Sequence, residues 1–185
     1  MRLLKFLPAL ILLSCSTNKN VERKITIKLI GWQFPLTNET KFKDSAFNSK
    51  GDLTDEVTAD GPSLELFTIK DSSSGSFSAY LRKDTLQLNR WIEWHDQDTK
   101  WYFEQLGQLS QMQVLETKYY TTTIDTVNFL VQYIKYLKKD KADTSYVYHH
   151  YGRINGIELD ISFEYNEPSI GKKYMNIVTK SKFVD

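Results

Sequence analysis

His95 is followed at once by Asp96 and then by Asp98, and an imidazole close to two carboxylates can accept a proton or hold a divalent cation. The spacing matches no established catalytic or metal motif. His95 also falls on the apolar stripe of a helix, where a histidine hydrogen-bonded within the core, here to a capping loop, is the commoner use. Three tryptophans surround it. Exposed indoles are what carbohydrates stack on, and in a continuous helix Trp94 and Trp101 project to nearly the same side, flanking the buried stripe. Packing between helix and sheet is the competing use of these side chains. Trp94, Trp101, His95 and Asp96 are therefore the candidate binding residues, with no catalytic residue and no metal ligand assigned.

Other chemistry is thinly represented. His149 and His150 resemble a metal pair until they are placed on a strand, where neighbours point to opposite faces and cannot share one ion. The expected arrangement is one solvated histidine and one packed beside Tyr151. Ser16 to Lys19 fits S-x-x-K but lies in a polar segment with nothing to desolvate the lysine into a base. The sequence holds no G-x-G-x-x-G, Walker loop, H-E-x-x-H or G-x-S-x-G, so no cofactor is expected.

The elements that must position these residues follow from periodicity. Ile25, Ile27 and Leu29 alternate with polar residues as a half-buried strand, after which the chain bends through Gly31 to Pro35. Residues 37–61 read mostly as loop, with a short helix near Asp44 to Phe47. Leu64 to Lys70 and Phe77 to Leu81 form a hairpin around a serine-rich turn. Leu88, Trp91, Ile92 and His95, then Tyr102, Leu106 and Leu109, give a helical stripe that a cap at Asp96 or Asp98 would split in two. Strand patterning returns at Val114, runs through Val127 to Tyr133 and continues from Thr144 to Arg153. The Lys135 to Lys141 stretch reads as a solvated turn between strands. Asn155-Gly156 is a two-residue hairpin signal, and Ile157 to Tyr165 is the cleanest one-sided strand. Glu167-Pro168 suits the start of a last helix bearing Ile170, Tyr174, Ile177 and Val178. The class expected is α+β, an antiparallel β-sheet with helices packed on one or both faces.

The N-terminus points to a membrane by another route. Arg2 and Lys5 precede an apolar run from Phe6 to Leu13, too short to span a bilayer and laid out as a signal peptide. Leu12-Leu13-Ser14-Cys15 resembles the lipobox of bacterial lipoproteins, and the resemblance implies cleavage before Cys15 and lipid attachment to its thiol. Cys15 is the single cysteine among 185 residues, so no disulfide or thiolate metal site is open to the chain. The division expected is residues 1–14 as signal peptide, 15–23 as lipidated cysteine and flexible tether, and 24–185 as one α+β domain. Removing residues 1–14 leaves 22 basic against 23 acidic residues, a near-neutral surface that argues against nucleic acid as a partner. The partners expected are the membrane, through lipid on Cys15, and an envelope protein. Ser16 after the cysteine, in place of aspartate, implies delivery to the outer membrane, and the lack of acidic residues in Ser16 to Asn20 favours its periplasmic face.

The order of elements, the opening strand running into Gly31-Trp32, and a last strand followed by a helix ending in Thr179-Lys180-Ser181-Lys182-Phe183 resemble the PsbP-like fold. That fold is shared by photosystem accessory proteins and by envelope lipoproteins of the DcrB kind. The resemblance implies a non-enzymatic accessory or assembly module. Gly31-Trp32, Asp44-Ser45-Ala46-Phe47 and Ile170-Gly171-Lys172-Lys173-Tyr174 are also similar to segments of Bacteroidota lipoproteins, which implies an origin and no activity. The alternative carried from the residues themselves is a hydrolase or glycan-binding envelope protein using His95 and Asp96 or exposed tryptophans.

Overall fold

Alternating β-branched and aromatic residues with tight turns between them build most of the chain into sheet. The computed structural model describes residues 22–37, 42–44, 63–71, 74–109, 111–139 and 143–184. A three-stranded antiparallel sheet is formed by β1 (Glu22–Ile27), β2 (Trp32–Thr37) and β10 (Lys182–Phe183), with β2 in the middle. A seven-stranded antiparallel sheet runs in the order β3 (Phe42–Asp44), β4 (Leu64–Asp71), β5 (Gly75–Lys83), β9 (Ile157–Tyr165), β8 (Asp143–Ile154), β7 (Val127–Lys138) and β6 (Met112–Ile124). Helix α1 (Leu88–Gln108) connects β5 to β6, and α2 (Pro168–Thr179) connects β9 to β10. The class is α+β, as the sequence pattern requires.

The helices lie on opposite faces of the large sheet. In β9, Phe163 meets Tyr174 of α2 while Glu158 meets Trp91 and His95 of α1, and residues of opposite parity on one strand point to opposite faces. The face under α2 carries the main core, in which Phe77, Phe163, Phe67, Trp32 and Phe34 form a chain of rings with centroids 4.3–6.0 Å apart. Covered by α1 as well, Phe129–Ile134 of β7 are buried without a break, where the sequence suggested a one-sided alternation.

Several segments differ from expectation. Leu29 leaves the strand: Lys28–Ile30 is a 3-10 turn closed by Gly31 in the left-handed region at φ 61°, and Leu29 is exposed. What reads as a bend from Gly31 to Pro35 is strand β2, whose buried Trp32, Phe34 and Leu36 keep a period of two. Pro35 is tolerated because β10 pairs only with Trp32 and Gln33, leaving β2 an edge beyond them. Strand β1 begins at Glu22, inside the segment expected as tether. Phe42–Asp44 is a strand where a helix was expected to start; Ser45 to Phe47, Cys15 and the rest of the 15–21 segment lie outside the described residues. Helix α1 is one continuous element: Asp96 pairs with Lys100 one turn on, and neither Asp96 nor Asp98 caps a second helix. Lys135 to Lys138 continue β7, with Lys135 over the Tyr146 ring and Lys138 paired to Glu164. Asn155-Gly156 makes the expected turn with both residues at positive φ.

Candidate functional site

The face of the large sheet under α1 is polar, since it carries Glu158, Asp160, Ser162 and Glu164 of β9 and their cross-strand partners Tyr151 and His149 of β8. Helix α1 lands on it through the stripe Trp91, His95, Thr99 and Leu106, all buried. Glu158 fastens the landing. Its Oε2 accepts hydrogen bonds from Trp91 Nε1 at 2.5 Å and His95 Nε2 at 2.9 Å, and its Oε1 accepts one from Arg82 at 2.8 Å. Burial pushes the Glu158 carboxyl up, yet the hydrogen bonds from His95 and Trp91 and the charge of Arg82 outweigh it and hold the group below the usual carboxylate range. One turn on, Thr99 donates to the His95 carbonyl and accepts from Gln132, and the His95 ring lies 4.4 Å from that of Tyr151.

His95 and Asp96 are thereby separated. His95 is 1% exposed and bonded to the sheet beneath, whereas Asp96 turns outward to Lys100 Nζ at 2.6 Å. The hydrogen-bond partner of His95 is a carboxylate on β9, not a capping loop. Glu158 is thus the partner that sequence reasoning missed: it sits in the polar register of β9 and reads there as solvated. The available signal was the histidine on the apolar stripe, which needed an acceptor opposite it.

Of the tryptophans, Trp91 is buried, while Trp94 and Trp101 are 41% and 60% exposed. Arg82 of β5 lies 5.0 Å from the Trp94 ring, so this flank of α1 looks toward β5. Trp101, seven residues further along, is turned by only about 20° and advanced by about 10 Å on the same flank.

His149 and His150 point to opposite faces. It is His150 that is buried in the core, its ring 5.6 Å from Phe163, and burial with the neighbouring His149 pushes it down to about 4. His149 is the one beside Tyr151, and its Nδ1 stands 3.9 Å from Asp160 Oδ1, beyond hydrogen-bond distance. Two cavities open beneath α1. One of about 670 Å³ lies between its N-terminal half and the β6–β7 hairpin, lined by Leu88, Trp91, Ile92 and Val127 among others. The other, of about 330 Å³, lies under its C-terminal half against Ser76, Ser78, Tyr80, Ser162 and Glu164. Among the described residues, no group of three or more His, Cys, Asp or Glu is placed to hold a metal, and no helix is long and apolar enough to cross a membrane.

No known family model matches the sequence. No curated protein matches it either. Among solved structures, the chain is similar to the solution structure of cyanobacterial PsbP (CyanoP) from Synechocystis sp. PCC 6803, with a TM-score of 0.57 and 8% identity over 91% of this chain and 96% of that one. At that identity the likeness shows the fold alone: antiparallel sheets with two helices in the PsbP-like α+β arrangement.

Proposed function

We propose that this chain is a lipid-anchored cell-envelope protein whose α+β domain serves as a non-catalytic accessory or binding module. The observation that carries the non-catalytic part is the fate of His95. Its Nε2 is committed to Glu158 inside the core and its neighbour Asp96 faces away, so the constellation fastens a helix and offers no base to a substrate. The PsbP-like fold is compatible with such a module. The anchor rests on Leu12-Leu13-Ser14-Cys15, and the localisation we propose is the periplasmic face of the outer membrane with an envelope protein as partner.

Palmitate labelling tests the anchor. Cys15→Ala is expected to abolish labelling and signal processing, since the chain has no other thiol, and equal labelling of variant and parent would remove the lipoprotein reading. Cross-linking of the lipidated protein in its own membrane, followed by capture, tests the partner. A second reading, glycan binding, is favoured by one observation: Trp94 and Trp101 stand exposed on the same flank of α1.

A further inference from the structure

We propose that the cavity under the C-terminal half of α1 is a binding site for one neutral sugar unit of a glycan, the rest of which leaves past Trp101. The inference rests on the glycan-binding reading and adds to it a place and a recognition chemistry.

A sugar ring has apolar C–H faces and a rim of hydroxyls, and the cavity divides the same way. Its floor is the polar face of the sheet, where Ser76, Ser78 and Tyr80 of β5 stand beside Ser162 and Glu164 of β9. The register sets Ser78 opposite Ser162 and Ser162 opposite His149, so a row of two short hydroxyl side chains on β5 and β9 ends at the imidazole of His149 on β8. Thr68 extends that row, its Oγ1 2.9 Å from Ser78 Oγ. Against this floor stands an apolar wall made by Tyr102 and Leu106 of α1 with Ile134 and Val147 of the sheet. Serines on the floor keep it low, which is why α1 leaves space there although it seats tightly on Glu158 two turns earlier.

Charge selects a neutral ligand. Glu164 is the carboxylate in the cavity, and Tyr136 Oη at 2.6 Å and Lys138 Nζ at 3.0 Å both donate to its Oε1. The pair with Lys138 offsets its charge, and although Ser145 also bonds the carboxylate, its two oxygens keep lone pairs that can accept from a ligand hydroxyl. A volume of about 330 Å³ sits at the small end of ligand sites, enough for a single ring with its substituents. Trp101 precedes Tyr102 of the cavity lining and is exposed, so it offers a stacking face to a neighbouring unit.

The test uses the full chain in detergent micelles, titrated with chitotriose, maltotriose and cellotriose up to ~10 mM while tryptophan fluorescence is followed. At least one trisaccharide is expected to give a saturable change, weakened at least about tenfold by Ser162→Leu, which fills the floor, with little change in melting temperature. Ser78→Leu fills the same floor from β5 and serves if the first variant folds poorly. Binding that survives both fillings but is lost in Trp101→Ala overturns the cavity and leaves the exposed flank as the glycan surface. No saturable change with any of the three sugars overturns the cavity and the glycan reading together.

Discussion

Glu158 satisfies three donors at once, so removing it differs from removing any one of them. Glu158→Leu leaves the Trp91 indole N–H, the His95 imidazole and the Arg82 guanidinium facing an apolar group, and a broken buried charge cluster costs about 3–5 kcal/mol. Urea titration is expected to show that loss, while Trp94→Ala at the exposed flank should stay within about 1 kcal/mol. Equal, small effects would mean that α1 is not fastened at Glu158. His150 adds a pH dependence of definite sign. Its folded value is lowered to about 4 from 6.5, first by burial and then by His149, so the unfolded chain binds the extra proton between those limits. Stability therefore rises with pH across that window, is fully present above 6.5 and is lost as pH falls toward 4. Between pH 7 and pH 5 the parent is expected to lose about 2 kcal/mol more than His150→Phe, measured as the shift in urea midpoint. Parallel losses in the two proteins would show that His150 titrates normally.

At the scale of elements, two glycines on the two helices make opposite predictions. Gly171 lies on the buried side of α2, where an added Cβ would collide with the Tyr165 ring of β9, so Gly171→Ala is expected to cost about 1–3 kcal/mol. Gly107 in the last turn of α1 meets nothing within 4 Å, and Gly107→Ala should raise stability by up to about 1 kcal/mol. Thermal melts of the pair decide it, and destabilisation by both would place α1 against something at Gly107. The same elements mark what the sequence made legible. Strand β9 and the Asn155-Gly156 turn were readable because one-sided alternation and a left-handed turn pair are local signals. Strand β2 was not, because a proline and a glycine obscured an alternation whose pairing partner at its far side, β10, lies about 150 residues away in sequence. The continuity of α1 was obscured likewise, since Asp96 is a cap by composition and a partner of Lys100 by position. At the candidate site, the flank of Trp94 and Trp101 could be read from helical spacing. Glu158 and the serine floor could not, because strand order alone brings β5, β9 and β8 side by side beneath α1.

Over the whole molecule, the two faces of the large sheet are held by different forces. Among the described residues, the core face joins twenty buried side chains from both sheets, α2 and the β6–β7 hairpin into one cluster. Among the described residues, the buried apolar cluster that joins α1 to the sheet comprises Leu106, Ile134 and Tyr136, with Tyr102, Phe103, Met112, Val114 and Val147 partly buried against it, and α1 is held further by the polar fastening at Glu158 and the Thr99–Gln132 contact. Both cavities described above also lie under α1, where packing is lost on one side of each lining atom. Hydrophobic burial scales with the apolar area removed from water, so the α1 layer has less to lose by separating than the α2 layer has. It follows that α1 should open as a unit below the global unfolding free energy, with the seven-stranded sheet and α2 still closed. Native-state hydrogen exchange followed by mass spectrometry is expected to show amides of residues 88–108 exchanging with a lower opening free energy than those of 159–163 and 171–178. Acid acts on both layers, because protonating Glu158 weakens the fastening of α1 while protonating His150 weakens the core face, so the gap is read at neutral pH. Gly107→Ala should narrow it. Equal protection of the two helices at neutral pH would show that the polar contacts hold α1 as firmly as the core holds α2.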